Sequence, residues 1–398
     1  MQFDSRISIP PMVTVEGIIF WLSLALAAYV YVGYPVLVWV LSRFAPAPVR
    51  QQGICPSITL IIPAHNEERW IRQKLENTLA LDYPQDRFEV VVASDGSNDR
   101  TAAIARGFER SNVRVVEFLK RQGKQDMLNQ LAPQVAGEIL VMTDAHALLE
   151  PHSVRRLVEH FAEPQVGCVT GQRRCIVQPG VSQGAGEGMY WRYESWIKTS
   201  ESRLHSCLGA HGQLYAVRRS IFPKVEKVGE DFFIPMKVIA ASGRRVLFEP
   251  RAVAYTPAAA TLGIELERKT RAHVSLLLTL PMLPELLAPW RTPVWWQYLS
   301  HHVLRMVVPL AMLGLAASSC LLAASGHFYL WAAWAQLAFY ALGAAGYFLA
   351  LRDIRVKLFY VPFYFAFANL AVARALLRWP RRKYDYAWNR TERIPLSS

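Results

Sequence analysis

The stretch Ile58-Thr-Leu-Ile-Ile-Pro-Ala-His-Asn-Glu67 decides how this chain is read. Residues 58–62 are apolar and rich in β-branched side chains, which predicts a buried strand. Residues 63–67 end it with a proline and three polar groups, and an amphipathic helix is expected over 68–81. The pattern then repeats. Residues 89–93 predict a second strand running into the polar loop Ser94-Asp-Gly-Ser-Asn-Asp-Arg-Thr101, where Asp99 stands as an N-cap before a helix over 101–109. Residues 113–118 and 138–143 give a third and a fourth strand, the last delivering Asp144-Ala-His146 at its tip. Strand, polar turn and helix in alternation predict an α/β domain with a mostly parallel sheet. Open sheets of that kind bind ligands beyond the carboxyl ends of their strands. Asn66, Glu67, Asp95, Asp144 and His146 all fall at such ends.

Outward from this domain the composition changes. Of 398 residues, 52% are hydrophobic and only 19% charged, against about 25% charged in soluble domains. A wholly soluble chain is excluded. The net charge of +13 calls for an anionic partner, whether nucleic acid, anionic lipid or a phosphorylated substrate. The basic residues are spread along apolar flanks without a nucleic-acid-binding motif, so no nucleic-acid partner is expected. Five cysteines without C-x-x-C spacing argue against a disulfide framework or zinc knuckle and fit a reducing compartment.

The apolar residues are clustered. Residues 17–41 form a run long enough to cross a bilayer core of roughly 30 Å, and too long for a signal-peptide core, so they read as a retained anchor. Residues 303–324 and 328–351 are a second and third span, and 358–377 a weaker fourth interrupted by Asn369 and Arg374. The expected division is an N-terminal segment and transmembrane helix (1–52), a catalytic-type domain (53–273), interfacial helices (274–302), and a membrane bundle with a basic tail (303–398). Four prolines and the aromatics Trp290, Trp295, Trp296 and Tyr298 suit residues 281–302 to the headgroup layer, with a packed loop as the alternative.

Orientation carries a conflict. Arg43 and Arg50 after the first span place the domain in the cytoplasm, and four crossings then put the tail outside. Yet Arg378, Arg381, Arg382, Lys383, Arg390 and Arg393 favour the inside. Either residues 358–377 do not cross, being re-entrant or interfacial, or the tail is an exception.

Individual chemistry-bearing residues admit two readings each. Asp95 before Gly96 suits an Asx-turn as well as a ligand site, and Lys124 suits a solvated surface. Asp144-Ala-His146 serves as a helix cap or chelates one divalent cation, the carboxylate suiting Mg2+ or Mn2+ and the imidazole favouring Mn2+. Glu230-Asp231 is an acidic pair of the kind a helix N-terminus stabilises. Arg268 and Arg271 share a helix face. Tyr190, Trp191, Tyr193 and Trp196 offer faces for sugar rings or for core packing.

The order of these signals, over residues 56–271, resembles the family 2 glycosyltransferases, membrane-associated enzymes with the GT-A fold. The resemblance implies a Rossmann-like cytosolic domain between an N-terminal transmembrane helix and a C-terminal helical bundle. It implies that Pro63, Asn66 and Glu67, with Asp95, hold the nucleotide base and ribose, and that Lys124 contacts the donor, with Asn129 downstream. Asp144 and His146 match the family's metal motif, with His in place of the second Asp, for Mg2+ or Mn2+. Gly212 matches the family's acceptor-side loop, and Glu230 with Asp231 its acidic pair, in which Asp231 is the implied catalytic base; Trp191 precedes them as a candidate acceptor-side residue. Arg268 and Arg271 would clamp the diphosphate, but the tryptophan that follows this motif in processive members is Ala272 here. That departure implies a non-processive enzyme, or one that holds its acceptor differently.

The implied activity is inverting transfer from a UDP-sugar to a lipid-linked or growing polysaccharide acceptor. Expected partners are the bilayer and polysaccharide-assembly proteins, at a bacterial inner membrane with the domain cytoplasmic. The alternatives are transfer to polyprenyl phosphate or a ceramide-like lipid, and a non-catalytic scaffold that binds sugar nucleotides.

Overall fold

The computed structural model describes residues 11–110, 112–176, 183–352, 354 and 356–381. The chain enters through a helix of 30 residues made of α1 (Val15–Ala28), a π-helical turn (Tyr29–Gly33) and α2 (Tyr34–Phe44). Thr14 caps its start, accepting a hydrogen bond from the Gly17 amide at 3.1 Å.

β1 (Ile58–Ala64) is buried at all positions, as a strand with parallel neighbours on both edges and cover on both faces must be. It leads through α3 (Ile71–Leu79), β2 (Phe88–Asp95), α4 (Thr101–Arg106), β3 (Val113–Phe118) and α5 (Lys124–Leu131) to β4 (Ile139–Met142). Then come β5 (Leu148–Leu149), α6 (Ser153–Val158), β6 (Val166–Ile176), α7 (Gln183–Leu204), β7 (Tyr215–Arg218), α8 (Glu230–Ser242), β8 (Arg245–Pro257) and α9 (Leu262–Thr279). The eight strands form one sheet in the order β3-β2-β1-β4-β7-β6-β8-β5.

The strand period of two divides the core. Leu60 and Ile62 face Ile71 and Leu75 of α3 and Leu157 of α6, while Ile61 faces Leu128 of α5, Ile234 of α8 and Val274 of α9. The mostly parallel sheet expected from the sequence holds for β3, β2, β1 and β4. β7 is antiparallel to both β4 and β6, and β5 to β8, so the whole sheet is mixed. The chain returns from α7 against the direction of β4, which no local pattern in the sequence records.

α3 starts three residues later than the expected 68. Asn66 takes a left-handed φ of 55°, and the Glu67 carbonyl accepts from the amides of Trp70 and Ile71, each at 2.9 Å. The turn thereby projects polar groups before the helix begins.

Beyond the sheet, α10 (Trp295–Gln297), a π-helical stretch (Tyr298–Val303) and α11 (Leu304–Leu321) make one long helix, followed by α12 (His327–Leu351) and α13 (Lys357–Arg378). Among the described residues four helices are thus long and apolar enough to cross a membrane: 15–44, 295–321, 327–351 and 357–378. The segment 281–302 contains short 3-10 turns and the start of the long helix instead of independent interfacial helices. Leu283, Leu286, Val294 and Tyr298 are buried in the core beside the sheet, and Trp290 faces outward at 82% exposure. Prolines 281, 284, 289 and 293 keep this segment from becoming one continuous helix. The basic residues Arg382, Lys383, Arg390 and Arg393 lie outside the described residues.

Candidate active site

Asp95 ends β2, and its turn sets the next element in place. Gly96 has a φ of 59°, and a Cβ there would lie 2.7 Å from the Arg121 amide nitrogen, so the turn packs directly on the following loop. The Asp95 carboxylate, fully buried, accepts from the Gln122 and Gly123 amides, each at 2.8 Å. This fixes the start of α5 and aims Lys124. On the same shelf Pro63 pairs with Ala93, Asn66 Oδ1 accepts from the Asn98 amide at 2.9 Å, and the Glu67 amide donates to Thr101 Oγ1 at 2.7 Å. The shelf joins the ends of β1 and β2.

Lys124 carries the shelf into a cavity. Its Nζ lies 3.0 Å from Asp144 Oδ1, beyond β4, and 2.5 Å from Glu230 Oε1, in the first turn of α8. Burial alone would lower the Lys124 pKa, but Asp144 and Glu230 hold it above its ordinary value, so the ammonium stays charged. Gln213 Nε2 also donates to Asp144 Oδ2, at 3.2 Å. Asn129 holds the loop before α8 through Val225, donating at 2.8 Å and accepting at 2.7 Å. Its place is structural support for Glu230 and Asp231.

Asp231 sits between two glycines. A Cβ on Gly229 would come within 3.0 Å of Asp231 Oδ1, and one on Gly212 within 3.7 Å of Oδ2, so the carboxyl keeps an open approach. The Ala210 amide donates to the Asp231 carbonyl at 2.6 Å, tying the 209–212 loop to α8. Burial raises the Asp231 pKa to about 7, with Glu230 adding to the shift and Lys124 opposing it. A carboxyl poised near neutrality suits proton abstraction.

The cavity holds about 350 Å³. Lys124, Asp144, Gly212, Glu230, Asp231, Arg268 and Arg271 line it, as does Trp191 from α7. Pro63, Asn66, Glu67 and Asp95 belong to the neighbouring shelf. Arg268 is held by Glu265 through two hydrogen bonds of 2.8 and 2.7 Å. Trp191 lies under the Arg173 guanidinium at 5.3 Å and meets His211 edge-on at 5.0 Å.

Sequence reasoning missed several members. His211 Nδ1 lies 2.9 Å from the Gly171 carbonyl, while its Nε2 is buried without a partner among the described residues. Burial pushes its pKa well below the ordinary value, leaving a neutral ring. Lys74 of α3 is fully buried and donates to Thr143 Oγ1 at 2.8 Å and to the Ala147 carbonyl at 2.6 Å, bracing the turn that carries Asp144. Its pKa falls to about 7 because burial outweighs the attraction of Asp144. Glu194 of α7 pairs with Arg305 of α11 at 2.6 Å and with His301 at 3.3 Å, and both partners line the cavity. An arginine at the start of an apolar helix was the signal available for that pair.

His146 is buried, with Nε2 3.7 Å from Asp144 Oδ2. Among the described residues no group of three or more His, Cys, Asp or Glu side chains could hold a metal. Asp144 and His146 offer two donors, which fits a divalent ion that completes its shell with substrate phosphates and water.

Comparison with known proteins agrees with this geometry. Residues 59–225 match the model of Glycosyl transferase family 2. The chain is 27% identical to the probable glycosyltransferase YdaM of Bacillus subtilis (strain 168), over 54% of this chain and 54% of that protein. It is 25% identical to the poly-beta-1,6-N-acetyl-D-glucosamine synthase of Staphylococcus aureus (strain COL), over 52% of this chain and 51% of that one. The chain thus spans about half the length of the curated relatives it matches. Among solved structures it resembles the mannosyltransferase PcManGT from Pyrobaculum calidifontis in complex with GDP-Man and Mn2+. That match has a TM-score of 0.66 and 26% identity, covering 92% of this chain and all of that one. A mixed sheet of this topology, acidic groups gathered at the strand ends and the match over 59–225 agree: the chain carries a family 2 glycosyltransferase domain and has the GT-A fold.

Proposed function

We propose that this chain is an inverting hexosyltransferase that moves a sugar from a UDP-sugar to a hydroxyl of a lipid-linked or growing polysaccharide acceptor. The reaction would take place at the cytoplasmic face of a bacterial inner membrane. The observation carrying this reading is the convergence of Lys124, Asp144, Asp231, Arg268 and Arg271 on one cavity. It continues into the shelf of Asn66, Glu67 and Asp95 on one side and reaches Arg305 of an apolar helix on the other.

In this reading the nucleoside rests on the shelf and the diphosphate reaches toward Asp144 and the two arginines. Lys124 keeps Asp144 and Glu230 from repelling the phosphates. Asp231 takes the proton of the acceptor hydroxyl as its oxygen bonds to the anomeric carbon. The bond to the nucleoside diphosphate breaks on the opposite face, and that single displacement inverts the centre. A Mg2+ or Mn2+ ion on Asp144 and His146 would neutralise charge on the leaving diphosphate. Trp191 and the unpartnered His211 Nε2 suit the acceptor side, offering an aromatic face and a lone pair to sugar hydroxyls.

The test uses the purified full chain in detergent, with UDP-hexoses and GDP-mannose, with and without Mn2+. Nucleotide release with one UDP-hexose supports the reading. Release with GDP-mannose alone would move the donor to the class bound by the similar mannosyltransferase. A labelled product that partitions into organic solvent identifies a simple lipid acceptor, and no release with any donor leaves the scaffold reading.

A further inference from the structure

Four helices are long enough to cross a bilayer, yet the packing of α13 is not that of a fourth crossing. The side remote from the sheet domain is marked where Phe20 of α1 packs with Leu322 and Tyr329, the Phe20 and Tyr329 rings 5.1 Å apart. The near side is marked by α9, which belongs to the sheet domain. An ordinary crossing would take α13 from one to the other, since 22 residues of helix span about 33 Å.

Instead, α13 stays against α9 from its first half through to its end. In its first half, Phe363 and Phe367 pack with Leu262 and Leu266 of α9 and with Ala350 at the end of α12. Tyr364 lies 5.2 Å from Lys269 Nζ. Toward its end, Arg378 and Arg374 reach Glu267 of α9 at 2.6 and 3.5 Å, and Val372 and Ala375 enter the same core as Val274 and Leu276. α13 therefore runs along α9 and ends on the side of the sheet domain, while its Phe365 packs on Phe339 of α12 and Tyr31 of the first helix, with ring centroids 5.6 and 4.9 Å apart.

The two polar residues that weakened 358–377 as a span are accounted for in the same way. Asn369 Oδ1 accepts from the Tyr31 hydroxyl at 3.0 Å, and its Nδ2 donates to the Phe365 carbonyl at 3.0 Å. Arg374 is at the Glu267 pair. On the uncovered side, Leu358, Val361, Leu370 and Leu377 are exposed, with Trp379 just beyond the helix. α11 and α12 likewise expose apolar side chains, Leu313, Phe348 and Leu351 among them. Basic side chains at both ends, Lys357 and Arg378, suit the phosphate level.

We infer that α13 is an interfacial helix lying at the headgroup–acyl boundary on the side of the catalytic domain, and that the described chain crosses the bilayer three times. Its occupant surface is lipid. The conflict in the charge pattern then disappears, because the chain leaves α13 on the same side as Arg43 and Arg50. The acceptor cavity also gains a lipid-facing neighbour, since Tyr364 touches Tyr190 of its wall, with ring centroids 5.7 Å apart.

The test reads sidedness, not activity, so its outcome is separate from that of the proposed reaction. In the full-length chain with Cys55, Cys175 and Cys320 replaced by serine, single cysteines are placed as Leu119→Cys, Ser325→Cys, Ile354→Cys and Trp379→Cys. Oriented membrane vesicles are treated with an impermeant maleimide. Positions 119, 354 and 379 should label from one face and 325 from the other. Labelling of 379 from the face of 325 overturns the inference. A bimane on Leu370→Cys should be quenched by spin labels near the lipid headgroups and one on Leu313→Cys by labels deep in the acyl chains. Equal deep quenching at both overturns it as well.

Discussion

Asp231 shows how one residue's environment selects its role. Its carboxyl is buried beside Glu230, and its pKa of about 7 leaves a large protonated fraction in mildly acid solution. Turnover should therefore rise as pH climbs through about 7, and Asp231→Asn should lose this limb together with ~10²–10⁴ in rate. Nucleotide titration should show binding retained, and equal loss of binding would remove Asp231 from its assigned role. The same shift has an opposite consequence for stability. The folded state holds this proton more tightly than the unfolded chain does, so the stability it contributes is present in acid and lost as pH rises through about 7. At pH 8 the Asn variant should melt above the parent in a thermal scan. Lys124→Met should do the reverse, because it leaves Asp144 and Glu230 facing each other without their shared cation. A lower melting temperature and weaker nucleotide binding at pH 8 are expected together.

At the scale of elements, α3 and α5 act on the site from below. Lys74 ties α3 to both ends of the 143–147 turn. In Lys74→Met the apolar stem is kept, but a hydroxyl and a carbonyl lose their donor, at a cost of about 1–3 kcal/mol for each buried group left unsatisfied. The turn carrying Asp144 and His146 should loosen, so Mn2+-dependent nucleotide affinity should fall more than metal-independent affinity. Equal affinity with and without the substitution would confine Lys74 to stability. Lys74 was not legible in the sequence, because a lysine in an amphipathic helix reads as a solvated residue until the strand beneath it is placed. Asp95 was legible as a strand-end acid, but its two amide partners depend on the left-handed Gly96 and Gly123 that bring the next loop onto it.

Across the whole molecule, the sheet domain and the apolar helices are joined by buried charge. Glu194 and Glu201 of α7 stand at i and i+7 and meet His301, Arg305 and the Tyr34 hydroxyl. The opposing charges of Arg305 and His301 hold Glu194 well below the usual carboxylate range despite its burial. Arg305→Met leaves that carboxylate to His301 alone and should cost about 3–5 kcal/mol, whereas adding Glu194→Gln should recover part of it. Thermal unfolding in detergent of both single variants and the double variant checks this coupling. A double variant no more stable than Arg305→Met would separate the two residues.

The sequence by itself determined the runs that become β1 and β4, because a strand buried on both faces must be largely apolar, and β2 and β3 through their β-branched residues. It determined the acids at their ends and the long apolar helices for the same local reason: each is written in consecutive residues. It also located Asp144 and Asp231, though not that Lys124 would join Asp144 to the acid beside Asp231. Tertiary structure alone decided the reversed direction of β7, the bracing of the metal-type turn by Lys74, and the path of α13 along α9. Those depend on which distant surfaces meet, and the free energy of such meetings belongs to pairs of segments that no single stretch of chain contains.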